Sequence, residues 1–143
     1  MKKVLVINGP SINMLGIREV DIYGKTTYKD LIKLIKLEAK ANNIKVKCVQ
    51  SNYEGKIIDY IQKAHNMFDG IIINPGAYSH TSYAIRDAIA SINVTAVEVH
   101  ISDVLNREPF RANLVISDVC AKTIIGKGVN SYLEALKEFK WKR

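Results

Sequence analysis

Short apolar runs rich in β-branched residues recur at residues 3–8, 44–49, 68–74, 95–99 and 123–125, and they predict five strands. Between them the apolar positions change to helical spacing. Thr27 and Asp30 have the spacing of a capping box, and Leu31 and Ile35 continue from it along a helix expected to run to Asn42. Ile57, Ile61 and Ala64 mark a second helix, Ile85, Ala88, Ile89 and Ile92 a third, and Val129, Leu133 and Leu136 a last one. Strands that are apolar throughout and alternate with amphipathic helices imply a parallel sheet covered on both faces. The expected class is therefore α/β, a flavodoxin-like three-layer sandwich with a five-stranded parallel sheet. No linker, internal period or low-complexity tract divides residues 1–143, which are expected to form one domain.

Residues 9–24 break this rhythm, because they follow the first strand yet are too long and polar for a simple connection. Structureless connections beyond roughly 12–15 residues are uncommon unless they bind or cover a ligand, so this stretch is expected to be a functional loop. It carries Arg18 and Tyr23, and a guanidinium beside a phenol favours the phenolate, a form able to act as a base. In a doubly wound sheet, ligands bind beyond the carboxyl ends of the strands where the strand order reverses. That rule gathers residues 8–11, 74–82 and 98–103 onto one polar rim.

Glu98 and His100 lie two apart, on the same side of an extended strand, where a carboxylate paired with an imidazole supports general-acid chemistry. A surface ion pair or a satisfied buried histidine is the other reading of that spacing. Ser79 and His80 fall where a loop gives way to a helix and are placed to receive a carboxylate, although helix capping accounts equally for Ser79, Thr81 and Ser82. Arg107 and Arg111, four apart, would share a helical face and clamp an anion, or lie solvated. Gly126-Lys127-Gly128 has part of a dinucleotide fingerprint but lacks its third glycine, and His65 reads as a complement to a helix dipole or as surface.

Composition narrows the partners. A chain of 143 residues can bury a sizeable core without disulfide or metal staples. The net charge of +7 raises the question of nucleic acid, but the basic residues are spread along the chain. Lys29, Lys33, Lys36 and Lys40 read as one solvated helix face and residues 140–143 as a frayed end, so no nucleic-acid partner is expected and the charge suits an anionic small molecule. Cys48 and Cys120 are far apart without metal-site spacing, and both are expected to be buried, free thiols in a reducing compartment. Lys2 and Lys3 precede only Val4 to Ile7, too short for a signal-peptide core, and no run approaches the roughly 20 apolar residues that span a bilayer. A cytoplasmic location and no membrane partner are expected.

Taken in order, the segments at residues 9–16, Arg18-Glu19 with Tyr23-Gly24, residues 74–82, Glu98-Val99-His100-Ile101-Ser102 and Arg107-Glu108-Pro109-Phe110-Arg111 resemble the type II 3-dehydroquinate dehydratases over nearly the whole chain. The resemblance implies one catalytic domain that eliminates water in the anti sense from 3-dehydroquinate. The product is 3-dehydroshikimate, in the shikimate pathway to chorismate and the aromatic amino acids, formed through an enolate with no cofactor, metal or Schiff base. By that likeness Tyr23 is the base, Arg18 favours its phenolate, and His100, oriented by Glu98, is the acid. Asn74, His80, Arg111 and the backbone amides of Ile101 and Ser102 match substrate-binding positions, and Arg107 matches the residue that closes the loop. Asp87 matches a residue reaching in from a neighbouring subunit, within trimers packed into a dodecamer.

Ser11 belongs to the same catalytic set, standing where the family usually has an asparagine that positions a water at the developing enolate. Val20, Asp103, Leu114 and Val115 are further departures. The acid, base and arginines remain, which implies an active enzyme slowed at Ser11. A non-catalytic homologue that binds a quinate-like acid is the alternative that Ser11 and Asp103 motivate, and a flavin or nucleotide binder the one that Gly126 and Gly128 motivate.

Overall fold

The computed structural model describes residues 1–140. Five strands, β1 (Lys2–Asn8), β2 (Ile44–Gln50), β3 (Gly70–Asn74), β4 (Thr95–His100) and β5 (Lys122–Ile125), form one sheet in the order β2-β1-β3-β4-β5 with every pairing parallel. The helices are α1 (Val20–Tyr23), α2 (Tyr28–Ala41), α3 (Glu54–Ala64), α4 (Tyr83–Ser91) and α5 (Asn130–Lys137). The expected five-stranded parallel α/β architecture is the one observed. Strand ends differ by one or two residues: Phe68 and Asp69 precede β3, the amide of Asp69 bonding to Lys3 O at 2.7 Å. The part of the expected frayed end beyond Lys140 lies outside the described residues.

Alternation along the central strands sends side chains to two cores. Val4, Val6, Ile72, Val97 and Val99 pack with Leu31 and Ile35 of α2 and with Ala135 and Leu136 of α5. Leu5, Ile7, Ile71, Ile73 and Ala96 pack with Ile57 and Ile61 of α3 and with Ile85 and Ile89 of α4. Glu98 and His100 share the parity of Ala96, so both lie on the α3/α4 side of β4, as their spacing predicts.

Local chemistry sets the helix ends. Thr27 caps α2, its hydroxyl accepting from Asp30 N at 3.1 Å, and Ser82 caps α4 by accepting from Ile85 N at 3.0 Å. Lys29, Lys33, Lys36 and Lys40 are all exposed along α2, the solvated face expected of them. The expected phase of α5 is wrong: Ser131, Tyr132, Ala135 and Leu136 are buried, whereas Leu133 is half-buried and Val129 precedes the helix. Counting apolar positions passes over Ser131 and over Tyr132, whose phenol carries a polar tip into the interior. Ile92 falls just beyond α4, half-buried. Cys48 and Cys120 are free and half-buried rather than fully buried, and desolvation pushes their thiols up to about 11 and about 12.

Residues 9–24 are not structureless. A 3-10 turn at Ile12–Met14 and the single helical turn α1 shape them, and Ile12 and Leu15 anchor the loop in the core. Gly9 lets the end of β1 approach the loop after β3, because a Cβ there would stand 2.7 Å from Pro75 O. Among the described residues, no helix is long and apolar enough to cross a membrane.

Candidate active site

In the strand order, β1 leads outward to β2 and its neighbour β3 leads the opposite way to β4, so the crevice of such sheets opens at the carboxyl ends of β1 and β3. A cleft of about 570 Å3, open mouth included, occupies that position. Ser11, Arg18, Tyr23, Asn74, His80, His100, Ile101, Ser102, Arg107 and Arg111 all line it. Two of the expected residues do not. Glu98 is fully buried against His100, and Asp87 is exposed on α4.

Tyr23 ends α1, between Glu19 at φ 35° and Gly24 at φ 81°. This short turn presents its phenol to two guanidinium groups: Arg18 Nη2 donates to the phenol oxygen at 3.1 Å and Arg107 Nη1 at 2.8 Å. Arg18 also stacks on the ring, its Cζ 4.2 Å from the centroid. Arg107 further donates to Ser102 Oγ at 3.2 Å, so the loop carrying Tyr23 is tied to the end of β4 by one side chain. Two cationic donors thus converge on the phenol oxygen.

His100 sits at the end of β4 with Nε2 2.5 Å from Glu98 Oε2 and 3.1 Å from Ser79 Oγ. The Ser79 hydroxyl donates to the same carboxylate oxygen at 2.6 Å, and Ser117 Oγ donates to Oε1 at 2.7 Å. Burial alone would raise the Glu98 carboxyl. The hydrogen bond and charge of His100, with the hydroxyls of Ser117 and Ser79, outweigh that and hold it below the ordinary 4.5. A buried carboxylate held in this way fixes the ring through Nε2 and leaves Nδ1 for a ligand in the cleft. Ser79 thus caps no helix and does not line the cleft; it braces the pair.

His80 is a different histidine. Desolvation lowers it, with smaller contributions from His100 and Arg111, so the neutral form prevails. Its Nδ1 lies 3.1 Å from the carbonyl of Asn113, and a carbonyl only accepts, so Nδ1 carries the hydrogen and Nε2 is an acceptor. Arg107 and Arg111 do not share a helix. The 3-10 turn Pro109–Ala112 begins after Arg107, and the two converge instead on Glu108, Arg111 Nε at 2.7 Å and Arg107 Nε at 3.7 Å.

The amides of Ile101 and Ser102 have no hydrogen-bond partner among the described residues, so two N–H groups are left for an anion. The segment is fixed from behind: Gly126 N and Ser131 Oγ both donate to His100 O at 3.1 Å, and Gly128 N donates to Ile101 O at 3.0 Å. Gly126 and Gly128 therefore spend their amides on the carbonyls of His100 and Ile101.

Ser11 lies at φ 67°, a left-handed conformation that costs serine about 1 kcal/mol. Its amide donates to Asn52 Oδ1 at 3.0 Å, and Gln50 Nε2 reaches that same oxygen at 3.1 Å and Gly9 O at 3.2 Å. Gln50, Asn52, Ser117 and the buried Tyr132 support the site without having stood out in the sequence. Asn8, expected on the polar rim, is fully buried instead. His65 is exposed just beyond α3, as expected of surface, and the described residues contain no group of three or more His, Cys, Asp or Glu able to hold a metal.

A flavodoxin-like sheet whose switch point gathers an oriented histidine, a doubly bridged tyrosine and free amides for an anion defines an acid–base enzyme for a small anionic substrate. Residues 2–140 match the family described as dehydroquinase class II, and the chain belongs to that family. It is 53% identical over 136 residues to a protein of Bacillus cereus named 3-dehydroquinate dehydratase, covering 95% of this chain and 93% of that one. It is also 53% identical over 141 residues to one of that name from Caldicellulosiruptor saccharolyticus, covering 98% and 97%. The crystal structure of a type II dehydroquinase from Butyrivibrio crossotus superposes with a TM-score of 0.96 at 51% identity, covering 98% of each chain.

Proposed function

We propose that this chain is a hydro-lyase that removes water from 3-dehydroquinate to give 3-dehydroshikimate. The observation that carries the reading is the pairing, across one cleft, of Tyr23 under two guanidinium donors with His100 held by the buried Glu98. The substrate carboxylate is received by the amides of Ile101 and Ser102 and the Ser102 hydroxyl, with Asn74 beside them. His80, an acceptor at Nε2, and Arg111, a donor, bind ring hydroxyls.

Tyr23, as phenolate, removes a proton next to the ketone, and the electrons move onto the carbonyl oxygen as an enolate. No lysine lines the cleft among the described residues, so no imine carries that charge. Water bound near Ser11 serves the enolate. Protonated His100 then gives its Nδ1 proton to the departing hydroxyl, which leaves as water while the enolate electrons form the new double bond. Glu98 offsets the imidazolium charge and Arg107 holds the loop closed over the reacting atoms.

One catalytic domain carries this chemistry in the cytoplasm, and the working form is a dodecamer of trimers in which Asp87 of one subunit completes a neighbour's site. Tyr83 and Asp87, four apart on α4 and both exposed, give that contact an apolar and a charged component. The stereochemical course tests the reading. Substrate bearing deuterium at the C2 position anti to the leaving hydroxyl is expected to release it to solvent on conversion. Retention of that deuterium, or absence of any conversion by the assembled protein, overturns the reading.

A further inference from the structure

Beneath the cleft lies a buried polar chain of which the mechanism above uses only Asn74. Asn8 and Tyr132 are fully buried and Asn74 is 3% exposed. Gly76 N donates to Asn74 Oδ1 at 3.1 Å, Asn74 Nδ2 donates to Tyr132 OH at 2.9 Å, and Tyr132 OH donates to Asn8 Oδ1 at 2.6 Å. One backbone group fixes the direction of the whole chain. A backbone N–H only donates, so the Asn74 atom facing Gly76 is the carbonyl oxygen, and the atom facing Tyr132 is the NH2. Tyr132 must then accept from Asn74, and its own proton goes to Asn8. Flipping either amide would set two donors or two acceptors against each other. Burial holds the Tyr132 phenol far above its ordinary value, so it stays a neutral donor throughout the working range.

At the far end, a hydrogen bond from the Asn8 side chain acts on the Tyr28 phenol against the larger effect of burial, so Asn8 meets a phenol on either side. Asn74 lies on the cleft with one Nδ2 hydrogen not yet used, and that hydrogen has a defined direction only because Tyr132 holds the amide from below.

We infer that Tyr132 is a positioning residue: with Asn8 it locks the Asn74 amide so that an N–H donor, rather than a carbonyl, meets an oxygen of the bound substrate. Its action on the reaction passes entirely through Asn74. The inference rests on the reading of Asn74 as a substrate contact. Nothing in the periodicity of α5 marks Tyr132, because it stands off the expected apolar stripe.

A double-mutant cycle on the assembled enzyme with 3-dehydroquinate tests this, using Tyr132→Phe, Asn74→Ala and the two together. Tyr132→Phe keeps the ring and removes the hydroxyl; kcat/KM is expected to fall about tenfold, the worth of one net hydrogen bond. Asn74→Ala is expected to fall at least as far, and the double variant to match Asn74→Ala within about twofold. A purely structural tyrosine would lower activity to the same degree in both backgrounds, and multiplication of the two losses overturns the inference. Unchanged kcat/KM in Tyr132→Phe, with Asn74→Ala impaired, overturns it as well. Unchanged kcat/KM in Asn74→Ala instead overturns the reading of Asn74 as a contact, and the positioning role with it. Where Tyr132→Phe does not fold, Asn8→Ala replaces it in the same cycle with the same expected non-additivity.

Discussion

Glu98 decides the site at the scale of single residues, because one buried carboxylate gathers a histidine and two serine hydroxyls around it. Glu98→Gln keeps the shape but removes the charge that offsets a protonated His100, so kcat is expected to fall about a hundredfold with KM little changed. The same carboxyl links stability to pH. Its folded value lies below the ordinary 4.5, so its contribution is fully present above that value and is withdrawn as pH falls through the lower folded value. Urea titrations between about pH 6 and 3 are expected to show a shallower loss of stability in Glu98→Gln than in the unsubstituted protein. Equal slopes would mean that Glu98 is not held as an anion.

Ser11 offers a gain rather than a loss. Asparagine tolerates the left-handed region far better than serine does, and its longer amide reaches toward the enolate. Ser11→Asn is expected to raise the thermal midpoint by about 2–4 °C and to raise kcat. A lower midpoint with unchanged kcat would remove both arguments. Most of the residues that sequence reading singled out come together at one cleft, but their supports were not foreseen. A histidine two residues from a glutamate on a strand is a local pattern, whereas Ser117, Asn52 and Tyr132 reach the site only through contacts between distant parts of the chain.

Among the elements, the strands and the three longer middle helices were legible because their residues follow one period each, and packing has only to preserve it. The loop at residues 9–24 was legible as an anomaly but not as a shape. Its two short turns rest on positive φ angles at Ser11, Glu19 and Gly24 and on buried Ile12 and Leu15, none of which makes a period. Arg107 and Arg111 look four apart on a helix, yet Pro109 starts a new turn between them and both bend to Glu108.

The Tyr23 end of that loop is tied down by Arg107, which bonds to the phenol at 2.8 Å. Arg107→Ala is expected to open it, so trypsin should cleave after Arg18 and Lys25 several-fold faster while the thermal midpoint moves little. A substrate-like acid should slow the cleavage in the unsubstituted protein. No change in the cleavage rate would show that Arg107 does not hold the loop.

The whole molecule is the scale at which a single chain says least about itself. Asp87 is exposed on α4 and turned to no residue of its own cleft, so its proposed work depends on a second subunit. Light scattering is expected to report twelve chains, and Asp87→Ala to lower kcat/KM without altering the fold; a fully active monomer would contradict both. The net charge of +7 is spread along the chain, and at the cleft Arg18, Arg107 and Arg111 each stand beside a glutamate, Glu19 or Glu108.

The most direct measurement follows the ultraviolet absorbance of the conjugated enone as purified protein meets 3-dehydroquinate, with Tyr23→Phe in parallel. The unsubstituted protein should form the enone, and Tyr23→Phe should bind the substrate but turn over about a hundred- to ten-thousandfold more slowly. Equal rates in the two proteins would contradict Tyr23 as the base, and no enone from either would contradict the dehydratase itself.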